Sequence, residues 1–434
     1  MPATAHRGLS PVRHELPNGA VVIAQHTATH RAVTIHVSVA AGSGHDADPA
    51  LGTAHFVAKV IDRGTQSLSA DALAEAFDGR GVSLTVGVSR HLMTFSCTCL
   101  ADDIEDVLAL VAGVVITPAF PQDQVDLRRS SVITSIRQDE DDPGTVATEA
   151  LMAALYPGSH PYGRRAKGTV ASIQAIGRDA LIDFHRAHVG AANLRVVIVG
   201  DVDASKAVAL AENAFGQWRH AGAAPLSPPP ATTAGSRTLQ TVVMPGKAQS
   251  DIAYGFISVT RPDPRFYALT LMNTVLGQYA MGGRLGDSIR ERQGMAYYVF
   301  SGFDANVAEG PLLVRAGVSP SNVTRAIASI DEELRRMADD GVTTSELADA
   351  KRYLIGSMPR MLETNGGIAG FLHSADYFGL GLDFDQRLPG LLDAVTIAEV
   401  HEVARTFLAP DRATIVVAGP PAQDVNADPA GPQQ

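Results

Sequence analysis

Leu194-Arg195-Val196-Val197-Ile198-Val199-Gly200 is an apolar run ending in glycine, and Ala413-Thr414-Ile415-Val416-Val417-Ala418-Gly419 repeats its character 219 positions later. A short, β-branched, nearly continuous apolar run reads as a strand buried on both faces. Two such strands at a wide spacing predict one fold written twice. A second pair agrees: the alternating stretch Ala32-Val33-Thr34-Ile35-His36-Val37-Ser38-Val39 has its counterpart at 250–257, at nearly the same offset. Alternation of this kind suits a sheet with a covered face.

Working outward, the first copy opens after the turn signal Leu16-Pro17-Asn18-Gly19 with a strand from Ala20 to Ala24. Helices are predicted over 51–62 and 69–79, the second entered through Ser69 as N-cap. Strands over 82–87 and 91–95 and helices over 102–115 and 122–140 follow. Residues 220–237 contain Pro225, Pro228, Pro229 and Pro230 among small residues, the composition of an extended linker. The second copy brings strands near 249–259 and 296–304 and helices near 263–277, 284–293, 320–340 and 344–358. The expected fold class is therefore α+β. Two similar tandem α/β-sandwich halves, 12–219 and 238–421, flank the linker 220–237, and a disordered tail occupies 422–434.

At 434 residues the chain exceeds one ordinary core. Hydrophobic residues at 45% and charged residues at 19% describe a globular protein. A net charge of −11 argues against nucleic acid or an anionic membrane as the main partner. No apolar run is long enough to span a bilayer, and the first residues lack the apolar core of a signal peptide, so a cytoplasmic location is expected. Cys97 and Cys99 lie two apart in a strand, which suits two buried free thiols better than a metal knuckle or a redox pair.

The run Gly52-Thr53-Ala54-His55-Phe56-Val57-Ala58-Lys59, followed by Asp62-Arg63-Gly64-Thr65, resembles the metal-binding helix of the pitrilysin/insulinase metallopeptidases. That family carries H-x-x-E-H on this helix, with two histidines as zinc ligands and the glutamate as general base. His55 matches the first histidine, but Ala58 stands at the glutamate and Lys59 at the second histidine. An alanine has no titratable group, and an ammonium repels a divalent cation. The segment Val132-Ile133-Thr134-Ser135-Ile136-Arg137 resembles the one that supplies the third ligand, and Ser135 occupies its position. A catalytic zinc needs three protein ligands and water, so no metal is expected in this chain. By itself, His55 reads as a hydrogen-bonded helix histidine.

The same family pairs its zinc-bearing half with one holding an arginine and a tyrosine seven residues apart. Arg290 and Tyr297, in Arg290-Glu291-Arg292-Gln293-Gly294-Met295-Ala296-Tyr297, have that separation, and Gly294 suits a left-handed helix C-terminus. The resemblance assigns Tyr297 to transition-state stabilisation and Arg290 to substrate anchoring. Gly282 and Gly283 are candidates for a mobile substrate loop. Without the family, Arg290 reads as part of an exposed charged helix end and Tyr297 or Tyr298 as a strand core residue. His185 and His188 form an H-x-x-H pair without a carboxylate or cysteine partner, and His160-Pro161-Tyr162-Gly163 reads as a packed turn.

The resemblance, which spans roughly residues 12–420, implies the non-zinc subunit of a heteromeric peptidase. A homologous partner would carry the intact motif and the zinc, and the two would close like a clamshell around peptide substrates. The isolated chain would be inert, and a duplicated chain can also pair with itself when isolated. The main alternative is a scaffold or binding subunit of the same fold. A third, a self-sufficient enzyme with a metal site built on His55, lacks two further ligands.

Overall fold

The computed structural model describes residues 8–28, 30–233, 235–278 and 283–421. Its elements form two sheets. The first contains β1 (Val12–Glu15), β2 (Val21–His26), β3 (Ala32–Val39), β4 (Thr85–Val88), β5 (Met93–Leu100) and β6 (Arg195–Gly200) in the order β1-β2-β6-β3-β5-β4. The second contains β7 (Thr238–Val243), β8 (Ser250–Ile257), β9 (Ala296–Phe303), β10 (Pro311–Val318) and β11 (Thr414–Gly419) in the order β7-β11-β8-β10-β9. Among the described residues, β2–β6 and β7–β11 run parallel and the other pairs antiparallel. The second sheet thus repeats the first strand for strand, with no counterpart of β1 among the described residues. The expected duplication is present, and β6 and β11 are its two fully matched central strands.

The helices are α1 (Thr53–Val60), α2 (Ala70–Asp78), α3 (Ile104–Ile116), α4 (Gln122–Asp141), α5 (Pro143–Leu155), α6 (Val170–Ala175), α7 (Arg178–His188) and α8 (Ala204–Phe215), then α9 (Phe266–Asn273), α10 (Val323–Asp340), α11 (Thr344–Met361), α12 (Asn365–Tyr377), α13 (Phe384–Ala394) and α14 (Ile397–Phe407). Ser69 caps α2 as expected, its side chain accepting from the Ala72 amide.

The chain divides into two compact units that are not consecutive stretches. One is 1–137, 164–227 and 354–390; the other is 138–163, 228–353 and 391–434. They depart from the 12–219 and 238–421 division because each half lends the other a helix. One boundary, between Ser227 and Pro228, lies inside the proline-rich stretch. The tail 422–434 lies outside the described residues.

In the first unit, Val33, Ile35, Val37 and Val39 point with Val196 and Ile198 into a core shared with Phe56, Val57, Val107, Leu108 and Leu210. Alternation sends His36 and Ser38 to the other face. There α12 covers them: Ser38 Oγ lies 2.7 Å from His373 Nε2, and the His36 and His373 rings are 4.9 Å apart. Asp376, one turn on, takes Arg195 at 2.9 Å and Arg13 at 2.8 Å.

In the second unit, α5 plays the matching part. Ala147, Leu151, Met152 and Leu155 pack on Ala253, Ile257, Val416 and Ala418. Gly255 allows the approach, since a Cβ there would sit 2.9 Å from a Leu151 methyl. On the opposite face the Tyr254 hydroxyl donates to Asp331 of α10 at 2.9 Å. With both faces covered, every residue of β8 is buried.

Candidate functional site

The first candidate site begins at a turn. Gly52 has a φ of +92°, which favours glycine, and a Cβ there would lie 2.4 Å from the Lys167 carbonyl oxygen. The Asp46 carboxylate accepts from the amides of Gly52 and Ala54, each at 2.8 Å, and so caps α1 from outside the helix. Burial outweighs those hydrogen bonds and pushes the Asp46 carboxyl up to about 7.

Helix α1 buries Phe56, Val57, Ala58 and Val60, leaves His55 half-buried and exposes Lys59. On α4, Ser135 Oγ accepts from the Lys167 ammonium at 3.0 Å. Burial also raises the Asp62 carboxyl, against the opposing fields of Arg63, Arg128 and Lys59. The family's zinc does not fit these residues. Ala58 presents a methyl group, Lys59 a cation, and Ser135 a neutral hydroxyl that already holds an ammonium. Among the described residues, no group of three or more His, Cys, Asp or Glu could hold a metal ion. Lys167 had no role in the sequence reading; the basic run Arg164-Arg165-Ala166-Lys167 was the available signal.

The second candidate site lies in the other unit. Residues Gly286–Arg292 form a π-helical segment, a geometry that recurs at functional positions. It stops as expected. Gly294 has a φ of +61°, its amide donates to the Arg290 carbonyl at 3.0 Å, and that of Met295 donates to Ile289 at 3.1 Å. The chain then enters β9, where Gly317 pairs with Tyr298 but Val318 pairs with Ala296. Tyr297 is therefore the extra residue of a β-bulge, a device that re-aims a side chain. It is 63% exposed, so it is not the core residue that its strand position allows.

The Tyr297 hydroxyl lies 3.5 Å from Ser319 Oγ, and the Arg290 guanidinium is 3.8 Å from Glu291. Among the described residues no hydrogen bond or ion pair joins Tyr297 to Arg290, and both side chains are exposed. Gly283 is buried, and a Cβ there would lie 2.7 Å from the Gly277 Cα, so it serves close backbone packing. Gly282 lies outside the described residues.

Next to the bulge, the Tyr298 hydroxyl donates to Asp251, whose other oxygen accepts from Gln249 Nε2 at 3.0 Å. Gly317 makes this possible: a Cβ there would fall 2.5 Å from both the Tyr298 ring and the Gln249 amide nitrogen. Gln249, Asp251 and Tyr298 line a cavity of about 540 Å³ with Arg315 and Phe300. Sequence reasoning missed this group, because its members come from three strands and the loop before β8.

The remaining candidates are structural. His185 Nε2 lies 2.8 Å from the Val115 carbonyl oxygen, and the His188 ring packs 4.7 Å from that of His45. The His160 ring packs against those of Tyr156 and Tyr162, tilted to the first and edge-on to the second. Cys97 and Cys99 are free and buried as expected, and burial pushes their thiols up to about 12 and about 11.

The chain is similar to known proteins over most of its length. The profile described as "Insulinase (Peptidase family M16)" matches residues 21–167, and "Peptidase M16 inactive domain" matches residues 175–354. An uncharacterized zinc protease of Mycobacterium leprae is 30% identical over 408 residues, covering 93% of this chain and 91% of that protein. A protein of Helicobacter pylori named a non-peptidase homolog is 26% identical over 373 residues, covering 85% of this chain and 84% of its own. The crystal structure of a peptidase M16 inactive domain from Pseudomonas fluorescens superposes with a TM-score of 0.89 at 26% identity, covering 95% of this chain and 98% of that one. The chain belongs to the pitrilysin/insulinase family of metallopeptidases, peptidase family M16.

Proposed function

We propose that this chain is the non-zinc subunit of a heteromeric metallopeptidase, supplying substrate-binding and transition-state-stabilising groups to a zinc site on a homologous partner. The observation that carries the reading is the bulge that exposes Tyr297 in β9, an edge strand of its sheet. A fold maintained only for packing has no need of an exposed tyrosine at an irregularity, seven residues from an exposed arginine.

The chemistry follows from the residue types. Attack of water on a peptide carbonyl builds negative charge on its oxygen, and a phenol donor aimed there lowers the barrier without bringing a charge of its own. The Arg290 fork can hold backbone carbonyl oxygens of the same substrate. An extended peptide can add to the edge of β9, which sets its register against Tyr297. Neither residue makes a nucleophile, and the residues at 55, 58, 59 and 135 do not hold zinc. The isolated chain is therefore inert.

The test is hydrolysis of a quenched fluorescent peptide by this chain, by a zinc-motif homologue from the same genome, and by their mixture, with zinc assayed in each. Activity that appears or rises strongly only in the mixture is expected. Full activity of the homologue alone, unchanged by this chain, refutes the proposal.

A scaffold or binding role is the second reading, favoured by the inactive-domain match and by the H. pylori homologue's printed name. In that case Tyr297→Phe leaves every activity of the assembly unchanged.

A further inference from the structure

The internal repeat provides a standard for each sheet edge. In the first sheet, β2 is covered by β1 through four antiparallel pairs, Val12–Ala24 to Glu15–Val21. Its counterpart β7 pairs with β11 alone, so its other side is open among the described residues.

Open edges are normally blunted. The strand β1 carries Arg13 and Glu15, and β4 has only four residues, one of them Gly87. The sequence of β7, Thr238-Leu239-Gln240-Thr241-Val242-Val243, has no charge and no proline, and its pairing has no bulge. Leu239 is 62% exposed and Val243 54%. Leu239 and Thr241 also line an apolar groove of about 500 Å³ with Val323, Ile327 and Val417.

We propose that β7 is a self-association edge, occupied by β7 of a second copy of this chain. A two-fold axis perpendicular to the sheet preserves its faces, so residues of equal parity must oppose one another. An axis through Thr241 sets Thr241 against Thr241 of the second copy and Leu239 against Val243, twice. Threonine pairs and paired aliphatics are among the favourable cross-strand combinations, and this register covers both exposed aliphatics of each copy at once. The charge pattern permits it: Arg237 faces Pro245 of the other copy and is already neutralised by Asp331 at 2.9 Å. The two sheets join into one of ten strands.

A six-residue ladder falls at the low end of specific interfaces, below roughly 1,200 Å² in total. The dimer is accordingly concentration-dependent.

The first test is sedimentation of the full chain over a wide concentration range, where a reversible monomer–dimer equilibrium is expected. Thr241→Lys sets two ammonium groups face to face and weakens the dimer by roughly tenfold or more. The site is exposed, so the fold tolerates the change. Register is tested by mild oxidation of cysteine variants, the two native thiols being buried. Thr241→Cys cross-links to itself; Leu239→Cys cross-links to Val243→Cys but not to itself. A monomer at every concentration overturns the inference. So does a dimer insensitive to Thr241→Lys, or one that forms only after residues 422–434 are deleted, since that would make the chain's own tail the occupant.

Discussion

His373 should make the protein sensitive to mild acid, by an amount that the structure sets. Its ring is 8% exposed, is bonded to Ser38, and is held down to about 3 from the usual 6.5. Burial is the main cause, helped by the fields of His36 and Arg195 and opposed by Asp376. A depressed histidine takes up its proton in the unfolded chain first. The folded state therefore keeps its full stability above the unfolded value and loses it as pH falls below about 6.5. Between pH 7 and pH 5 the loss from this one group is about 2 kcal/mol, and any folded value below about 4 gives nearly the same figure. His373→Gln removes the titration but can still reach Ser38. Urea denaturation of both proteins at pH 7 and pH 5 isolates the effect, because every other titrating group, Asp46 included, is common to both. The wild type should lose about 2 kcal/mol more than the variant over that interval. Equal losses refute the buried neutral imidazole and, with it, the account of how α12 is pinned to its sheet.

Tyr297→Phe should leave the melting temperature nearly unchanged, since the hydroxyl is exposed and its Ser319 contact is long at 3.5 Å. In the assembled peptidase it should lower turnover by roughly 10²–10³, the range for one oxyanion donor. Rebuilding the family motif by Ala58→Glu, Lys59→His and Ser135→Glu should not by itself give stoichiometric zinc, because the Lys167 ammonium, 3.0 Å from Ser135 Oγ, would pair with the new carboxylate. Adding Lys167→Met should raise the zinc content, read by elemental analysis of dialysed protein. Gly317→Ala drives a methyl into Tyr298 and Gln249, whose donors satisfy the 4%-exposed Asp251; thermal denaturation should show a loss of about 1–3 kcal/mol.

What could be read from the sequence was local and periodic. The strands at 32–39, 194–200, 250–257 and 413–419 announce themselves because burial on one or both faces leaves few polar residues in them. Ser69 and Gly294 could be identified because a cap and a left-handed C-terminus each need a particular residue type. The degenerate metal site was readable because an alanine and a lysine cannot do the work of a glutamate and a histidine. The missed features depend on partners distant in the chain. The bulge at Tyr297 is a one-residue slip against β10, invisible in β9 alone. The helix expected over 263–277 is α-helical only to Asn273 before it widens into π geometry at Thr274–Gln278. The π segment at Gly286–Arg292, within the predicted 284–293, likewise depends on packing that no propensity encodes. Helices α5 and α12 were not anticipated, and no periodicity says which sheet an apolar helix will cover.

That exchange governs how the chain can be made. The sheet holding Ser38 cannot bury His36, Ser38 and Arg195 until residues 335 positions beyond Ser38 have been synthesised. Helix α5, conversely, leaves the ribosome before any strand of its own sheet. Contacts of such sequence separation are slow to form, because loop closure must precede the burial that rewards it. A fragment ending near residue 219 would carry a strand face with no cover, and one starting near 238 would lack the helix that seals β8 and β11. Neither half, cut at the proline-rich stretch, carries every helix that covers its own sheet.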